Sequence, residues 1–210
     1  MLKKMNLPNK LTMLRIILVP FFIIAMALPT EWTWTLWTAF GIFVVAAITD
    51  FLDGQISRRK NLVTKFGKIM DPLADKLLIS AGFIMLAGKF VDDVSVIPSW
   101  IVAIIIFRDF FVNALRMFGA DKGADLAAGI SGKLKTVFQL IGLTLAILGV
   151  ALNPTYSTFG LFVTKSTSMG AVELLINVGM TVSIACAVLA TLWSLVDYIV
   201  RFKKDINVEE

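Results

Sequence analysis

The sequence predicts an all-α, polytopic membrane protein of six transmembrane helices with a short N-terminal interfacial helix, forming a single domain over residues 1–210. Three observations carry that expectation. Hydrophobic residues make up 58% of the chain and its mean hydropathy is +0.84, above the roughly 45–50% apolar share of soluble domains. Six apolar runs can be marked, each about as long as, or longer than, the ~20 residues that cross a bilayer as a helix. The cations crowd into alternate connections, as they do in chains that cross repeatedly.

Taken in order, residues 6–12 (Asn6, Leu7, Pro8, Asn9, Lys10, Leu11, Thr12) mix basic and apolar types, as an interfacial helix does. The first span, 11–28, contains Arg15 and Pro20 and no small-residue cleavage site, so it is read as a spanning helix and not as a cleaved signal. The second, 34–53, follows Trp32, Trp34 and Trp37, which fit an aromatic belt at the outer interface, and the fourth, 97–118, opens near Trp100 in the same way. Residues 73–91, 134–152 and 172–200 supply the third, fifth and sixth spans.

Lys and Arg number 20 against 15 Asp and Glu. Lys3, Lys4, Lys10 and Arg15 mark the N-terminus, Arg58, Arg59, Lys60, Lys65 and Lys68 the second connection, Arg116, Lys122, Lys133 and Lys135 the fourth, and Arg201, Lys203 and Lys204 the C-terminus. Short basic loops stay in the cytoplasm. Both termini and these two connections are therefore expected on the cytoplasmic side of the cell membrane, and no nucleic-acid partner is expected. Histidine is absent, which excludes a His-ligated zinc or haem site, and the single Cys186 rules out a disulfide within the chain.

The chemistry is concentrated between residues 50 and 75. Asp50 and Asp53 stand three apart at the expected cytoplasmic end of the second span, and Asp71 and Asp75 four apart at the start of the third. These spacings put each pair on one helical face. One such aspartate is ordinarily a solvated helix end. Four together at a membrane boundary repel one another and are costly to desolvate unless neutralised. Divalent cations relieve that cost, and an oxygen-only donor set selects Mg²⁺ or Mn²⁺. Gly54 and Gly67 allow a phosphate or nucleotide to approach the helix backbone, and Arg58 offers a phosphate donor.

These residues resemble the signature of the CDP-alcohol phosphotransferase family, D-x-x-D-G-x-x-A-R, eight residues, then G-x-x-x-D-x-x-x-D. It stands here as Asp50, Asp53, Gly54, Ser57 and Arg58, eight residues, then Gly67, Asp71 and Asp75, and departs from the signature only in Ser57 for alanine. The chain is most similar to the bacterial phosphatidylglycerophosphate synthase branch of the family, on residues 6–15, 70–76, 107–109 and 132–136.

The resemblance implies six membrane helices, a homodimer and two divalent ions. It also implies transfer of the phosphatidyl group of CDP-diacylglycerol to sn-glycerol 3-phosphate, giving phosphatidylglycerol phosphate and CMP. On that reading Asp50, Asp53, Asp71 and Asp75 hold the metals, Asp71 and Asp75 are catalytic with Asp75 the candidate base, and Gly54, Ser57, Arg58 and Gly67 line the CDP site. The acceptor carries a phosphate dianion, so basic residues are expected beside the carboxylates. Arg108, Arg116, Lys133 and Lys135 are the candidates, with Asp109 a structural partner for one of them.

Three other readings stand beside this one: a relative using another acceptor, an intramembrane prenyltransferase, and a cation transporter whose carboxylates form an ion path. The clustering of the aspartates at one face argues against the last. The motif reads the shared donor and does not choose the acceptor.

Overall fold

The computed structural model describes residues 7–29, 32–60, 65–91, 94–121, 130–152 and 170–206. Within these, side chains are described except at 7–8, 51–60, 65–69, 71, 72, 75, 90, 91, 94, 116–121, 130, 131 and 203–206. Among the described residues the elements are α1 (Leu7–Ala27), α2 (Thr33–Lys60), α3 (Lys65–Ala87), β1 (Phe90–Val91), β2 (Val94–Ser95), α4 (Ser99–Asp121), α5 (Ile130–Leu152) and α6 (Ala171–Ile206).

Helices follow from the solvent that the composition implies, since in lipid each backbone polar group must be satisfied within its own segment. Pro20 removes one N–H inside α1 without ending the helix. The start of α6 is set by Glu173, whose Oε2 accepts from the Gly170 amide at 3.3 Å and so satisfies a donor at the helix entrance.

By length and composition, α1, α2, α5 and α6 are apolar enough to cross a membrane, over Asn9–Ala27, Thr33–Asp50, Gly132–Leu152 and Ala171–Phe202. α3 is apolar only over Lys76–Ala87, because its first turns carry the motif aspartates, and α4 is interrupted by Arg108 and Asp109. Two details differ from the sequence expectation. The segment expected to lie apart on the surface, 6–12, is from Leu7 onward the first turns of α1, while Asn6 lies outside the described residues. A small antiparallel hairpin, pairing Phe90 with Ser95 and Val91 with Val94, joins α3 to α4 in an otherwise helical chain. Four residues of pairing add too little to the hydropathy pattern to be seen in it.

α1 packs against α2 and α3, α5 against α2, α3 and α6, and α4 against α3 and α6. The core runs through Phe22 and Met26 of α1, Leu36 and Phe43 of α2, Phe83 of α3, Leu143 and Ile147 of α5 and Ile184 of α6. Phe22 and Phe43 meet with ring centroids 5.7 Å apart. Small residues let the backbones close: a Cβ at Gly142 would sit 2.9 Å from Ile184 Cγ1, so α5 and α6 touch there only because the side chain is missing.

The polarity is inverted relative to a soluble protein. Ile17, Phe21, Ile24, Val45, Ile48, Leu175, Leu189 and Trp193 face outward, while Arg15, Arg108, Lys135, Gln139, Asn177, Thr191 and Ser194 are buried. So large an apolar exterior is stable only where lipid surrounds it, and the chain is a membrane protein.

The two ends of the bundle also differ. At one, Trp32, Trp34, Trp37 and Trp100 are exposed, and Lys89 Nζ donates to Leu28 O at 3.2 Å, tying the exit of α3 to that of α1. The opposite end holds the ion pairs among the described residues, Arg15 with Asp50, Arg108 and Lys135 with Asp109, and Arg201 with Asp197.

Candidate active site

The motif aspartates are carried by helical backbone, Asp50 and Asp53 in the second half of α2 and Asp71 and Asp75 in the first half of α3. Asp50 is the motif carboxylate whose side chain is described. It is 43% exposed and forms an ion pair with Arg15 Nη1 from α1, a side chain with no exposed surface at all. An arginine inside an apolar helix is costly without an anion to face, so the packing of α1 on α2 and the placing of the first carboxylate are one event.

The expectations for Asp53, Gly54, Ser57, Arg58, Gly67, Asp71, Asp75 and Arg116 fall outside the described side chains. Among the described residues no group of three or more His, Cys, Asp or Glu side chains forms a metal site. The donor chemistry at the one described position fits a hard divalent ion: an oxygen ligand with nearly half its surface open.

A second polar centre lies between α4, α5 and α6. Lys135 of α5 donates from Nζ to Asp109 Oδ1 of α4, and Arg108 Nη1 reaches the same oxygen at 3.1 Å. Arg108 Nη2 donates to Ser194 Oγ of α6, and its guanidinium lies 5.8 Å from the centroid of the Tyr198 ring. Gly132 borders this group, with its would-be Cβ 3.9 Å from Arg108 Nη2. The side chains of Arg108, Asp109 and Lys135 are 8%, 12% and 4% exposed.

Among the described residues, two cations here share one carboxylate, which leaves the triad one positive charge in excess in a desolvated place. Lys76, next in sequence to Asp75, is near enough for its charge to act on Lys135, which links the triad electrostatically to α3. Arg108 Nε, buried, meets no hydrogen-bond acceptor, and neither Nε2 nor Oε1 of the equally buried Gln139 meets a partner.

Of the residues chosen from the sequence for the acceptor phosphate, the structure therefore brings together Arg108 and Lys135. It does not bring in Lys133, which is exposed on α5. Two residues along a helix is about 200° of rotation, so Lys133 and Lys135 cannot share a face. Asp109, read as a structural partner for one cation, serves both. Sequence reasoning took Arg15 as topological charge and passed over Ser194, Tyr198 and Gln139. Arg15 and Gln139 left a signal, being polar residues within apolar runs. Ser194 and Tyr198 left none, since a hydroxyl on a long apolar helix is common.

With this geometry in hand, comparison with known proteins gives a consistent result. A family model described as CDP-alcohol phosphatidyltransferase matches residues 5–193. A protein of Bacillus subtilis (strain 168) named CDP-diacylglycerol–glycerol-3-phosphate 3-phosphatidyltransferase is 42% identical over 154 residues, covering 68% of this chain and 77% of its own. A Rickettsia felis protein of the same name is 43% identical over 144 residues, covering 69% and 76%. One from Escherichia coli (strain K12), again so named, is 30% identical over 203 residues, covering 96% and 97%.

Proposed function

This chain belongs to the CDP-alcohol phosphatidyltransferase family, and from that premise we propose that it transfers the phosphatidyl group of CDP-diacylglycerol to sn-glycerol 3-phosphate, giving phosphatidylglycerol phosphate and CMP in anionic phospholipid synthesis. The observation that carries the choice of acceptor is the Arg108–Asp109–Lys135 triad. A buried group with one positive charge in excess calls for an anion, and a small phosphate ester supplies one. The names of the relatives support the same acceptor.

In the reaction a primary hydroxyl oxygen of the acceptor bonds to the phosphorus that bears diacylglycerol. The bond from that phosphorus to the bridging oxygen breaks, and CMP leaves with the electron pair on its phosphate. Asp75 is our candidate to take the hydroxyl proton. Asp50, Asp53, Asp71 and Asp75 would hold two Mg²⁺ or Mn²⁺ ions, which when bound polarise the pyrophosphate and offset the charge of the leaving CMP. Arg15 fixes Asp50 in that group, and the motif glycines with Ser57 and Arg58 line the CDP site. Arg108 and Lys135 hold the acceptor phosphate, with Ser194 and Tyr198 keeping the Arg108 guanidinium in position.

The same reading fixes the setting. α3 and α4 complete six crossings by sheltering their charges against neighbouring helices, and the first turns of α1, with Lys10, lie at the membrane surface. The positive-inside pattern puts both termini and the aspartate-bearing end on the cytoplasmic side of the cell membrane, and two copies form a homodimer.

The test is CMP release by the purified protein in detergent with CDP-diacylglycerol and Mg²⁺ or Mn²⁺, across glycerol 3-phosphate, phosphatidylglycerol, serine and inositol phosphate. Release with glycerol 3-phosphate alone, abolished by chelation, is the expected result. Release with another acceptor would overturn the choice of acceptor but keep the donor, and no release with any would return the prenyltransferase and transporter readings.

A further inference from the structure

Among the described residues, Gln139 is a buried polar side chain that the proposed chemistry does not use and whose polar atoms are left unsatisfied. It is 1% exposed, and both Oε1 and Nε2 lack a hydrogen-bond partner. Leaving an amide buried and unsatisfied is unfavourable, and in native proteins such groups usually mark a function or a missing partner. Gln139 also stands four residues beyond Lys135, one turn further along the same face of α5, so the two buried polar groups of that face are neighbours. The residues after it on this face are apolar or glycine, with Gly142 against Ile184 and Ala146 buried. The polar strip thus ends at Gln139.

We infer that Gln139 is a specificity-determining residue, whose amide reads the secondary hydroxyl of the acceptor while Arg108 and Lys135 hold its phosphate. This deepens the function proposed above and rests on it. A hydroxyl both donates and accepts a hydrogen bond, and a carboxamide is the neutral side chain that offers both in return: Oε1 accepts from the hydroxyl, and Nε2 donates to it. Phosphate and hydroxyl stand on neighbouring carbons of a three-carbon acceptor, a separation on the scale of the single helical turn between Lys135 and Gln139. A charged partner at that depth would compete for the phosphate cations, whereas an amide does not. Acceptors that lack the hydroxyl leave the amide unsatisfied and are rejected for that reason.

The experiment compares sn-glycerol 3-phosphate with 3-hydroxypropyl phosphate, which keeps the primary hydroxyl and the phosphate and lacks only the secondary hydroxyl. CMP release is followed with the wild-type protein and with Gln139→Leu and Gln139→Met. Methionine is the closer match in shape and keeps the test open if leucine does not fold, and thermal unfolding of each variant checks that both are folded. The wild-type protein is expected to prefer glycerol 3-phosphate by about tenfold or more in kcat/KM. The variants lose most of that preference, with an unchanged KM for CDP-diacylglycerol and an unfolding temperature equal to or above the wild type. The same preference in wild type and variants would overturn the inference, as would a wild type that does not distinguish the two acceptors. Failure of the underlying function looks different, because then the wild type releases no CMP with glycerol 3-phosphate. An unchanged acceptor KM in Lys135→Ala would remove the phosphate from the triad and overturn the inference as well, because the reach from Lys135 to Gln139 would no longer match the acceptor.

Discussion

The two polar centres of this molecule are built on opposite plans. The aspartate motif lies within 26 consecutive residues on two helices joined by a short connection, and its described member, Asp50, is 43% exposed. The cation triad and its supports come from three helices, with Arg108 and Ser194 separated by 86 positions, and its charged side chains are almost wholly buried. On the proposed function the first centre admits ions and releases a nucleotide, which open carboxylates favour. The second selects one small anion, which desolvation favours, because each pairing there is stronger and each mismatch costs more. The comparison predicts that damage to the first centre abolishes turnover, and that damage to the second changes stability and acceptor choice.

The largest expected effect is at the motif. Asp71→Asn removes a carboxylate charge while keeping the shape, and CMP release should fall by about 10²–10³-fold or more whichever acceptor is offered. Loss with one acceptor alone would mean that the two centres are not separate in role.

Next is Asp109→Asn. Without its charge, Arg108 and Lys135 are left as two buried cations facing a neutral amide. Breaking a buried pair in this way costs about 3–5 kcal/mol, which thermal unfolding in detergent would register as a large drop. A small drop would mean that water or an anion already compensates the triad. Lys135→Ala comes third. It deletes a charge-assisted contact worth about 1.5–3 kcal/mol, and should raise the KM for glycerol 3-phosphate about tenfold to a hundredfold with little change for CDP-diacylglycerol. Equal effects on both would break the division between the centres.

The same contrast explains what could be read before the structure was known. The aspartate motif was legible because its spacing is local: residues three and four apart on a helix must share a face, whatever the rest of the fold does. The all-helical architecture was legible from hydropathy, and the aromatic residues near the starts of α2 and α4 are indeed exposed. The triad was only half legible. Arg108 and Lys135 drew notice as charges within or beside apolar runs, but nothing in the sequence says that Asp109 faces both, or that Ser194 reaches across from α6. Those pairings depend on how helices pack, which pattern reading does not reach. Lys133 was chosen with Lys135 because both are basic and close in sequence, and helical rotation separates them. Arg15 was the reverse case, read only as topological charge at the start of the first span, whereas the packing of α1 buries it against Asp50.

The smallest expected effect tests whether burial, and not charge pairing as such, sets the second centre apart. Near the end of α6, Arg201 Nε donates to Asp197 Oδ1 at 3.0 Å, one turn away, in a pair whose arginine is 50% exposed. This is the same chemistry as Arg108 with Asp109 at nearly the same distance, on one of the same helices that frame the triad. Water solvates both partners when the contact is lost, so Arg201→Ala should lower stability by only about 0.3–0.5 kcal/mol and leave both substrate KM values unchanged. A loss as large as that of Asp109→Asn would mean that ion pairs anywhere at this end of the bundle hold it together, and the excess charge of the triad would then lose its standing as a mark of the acceptor site.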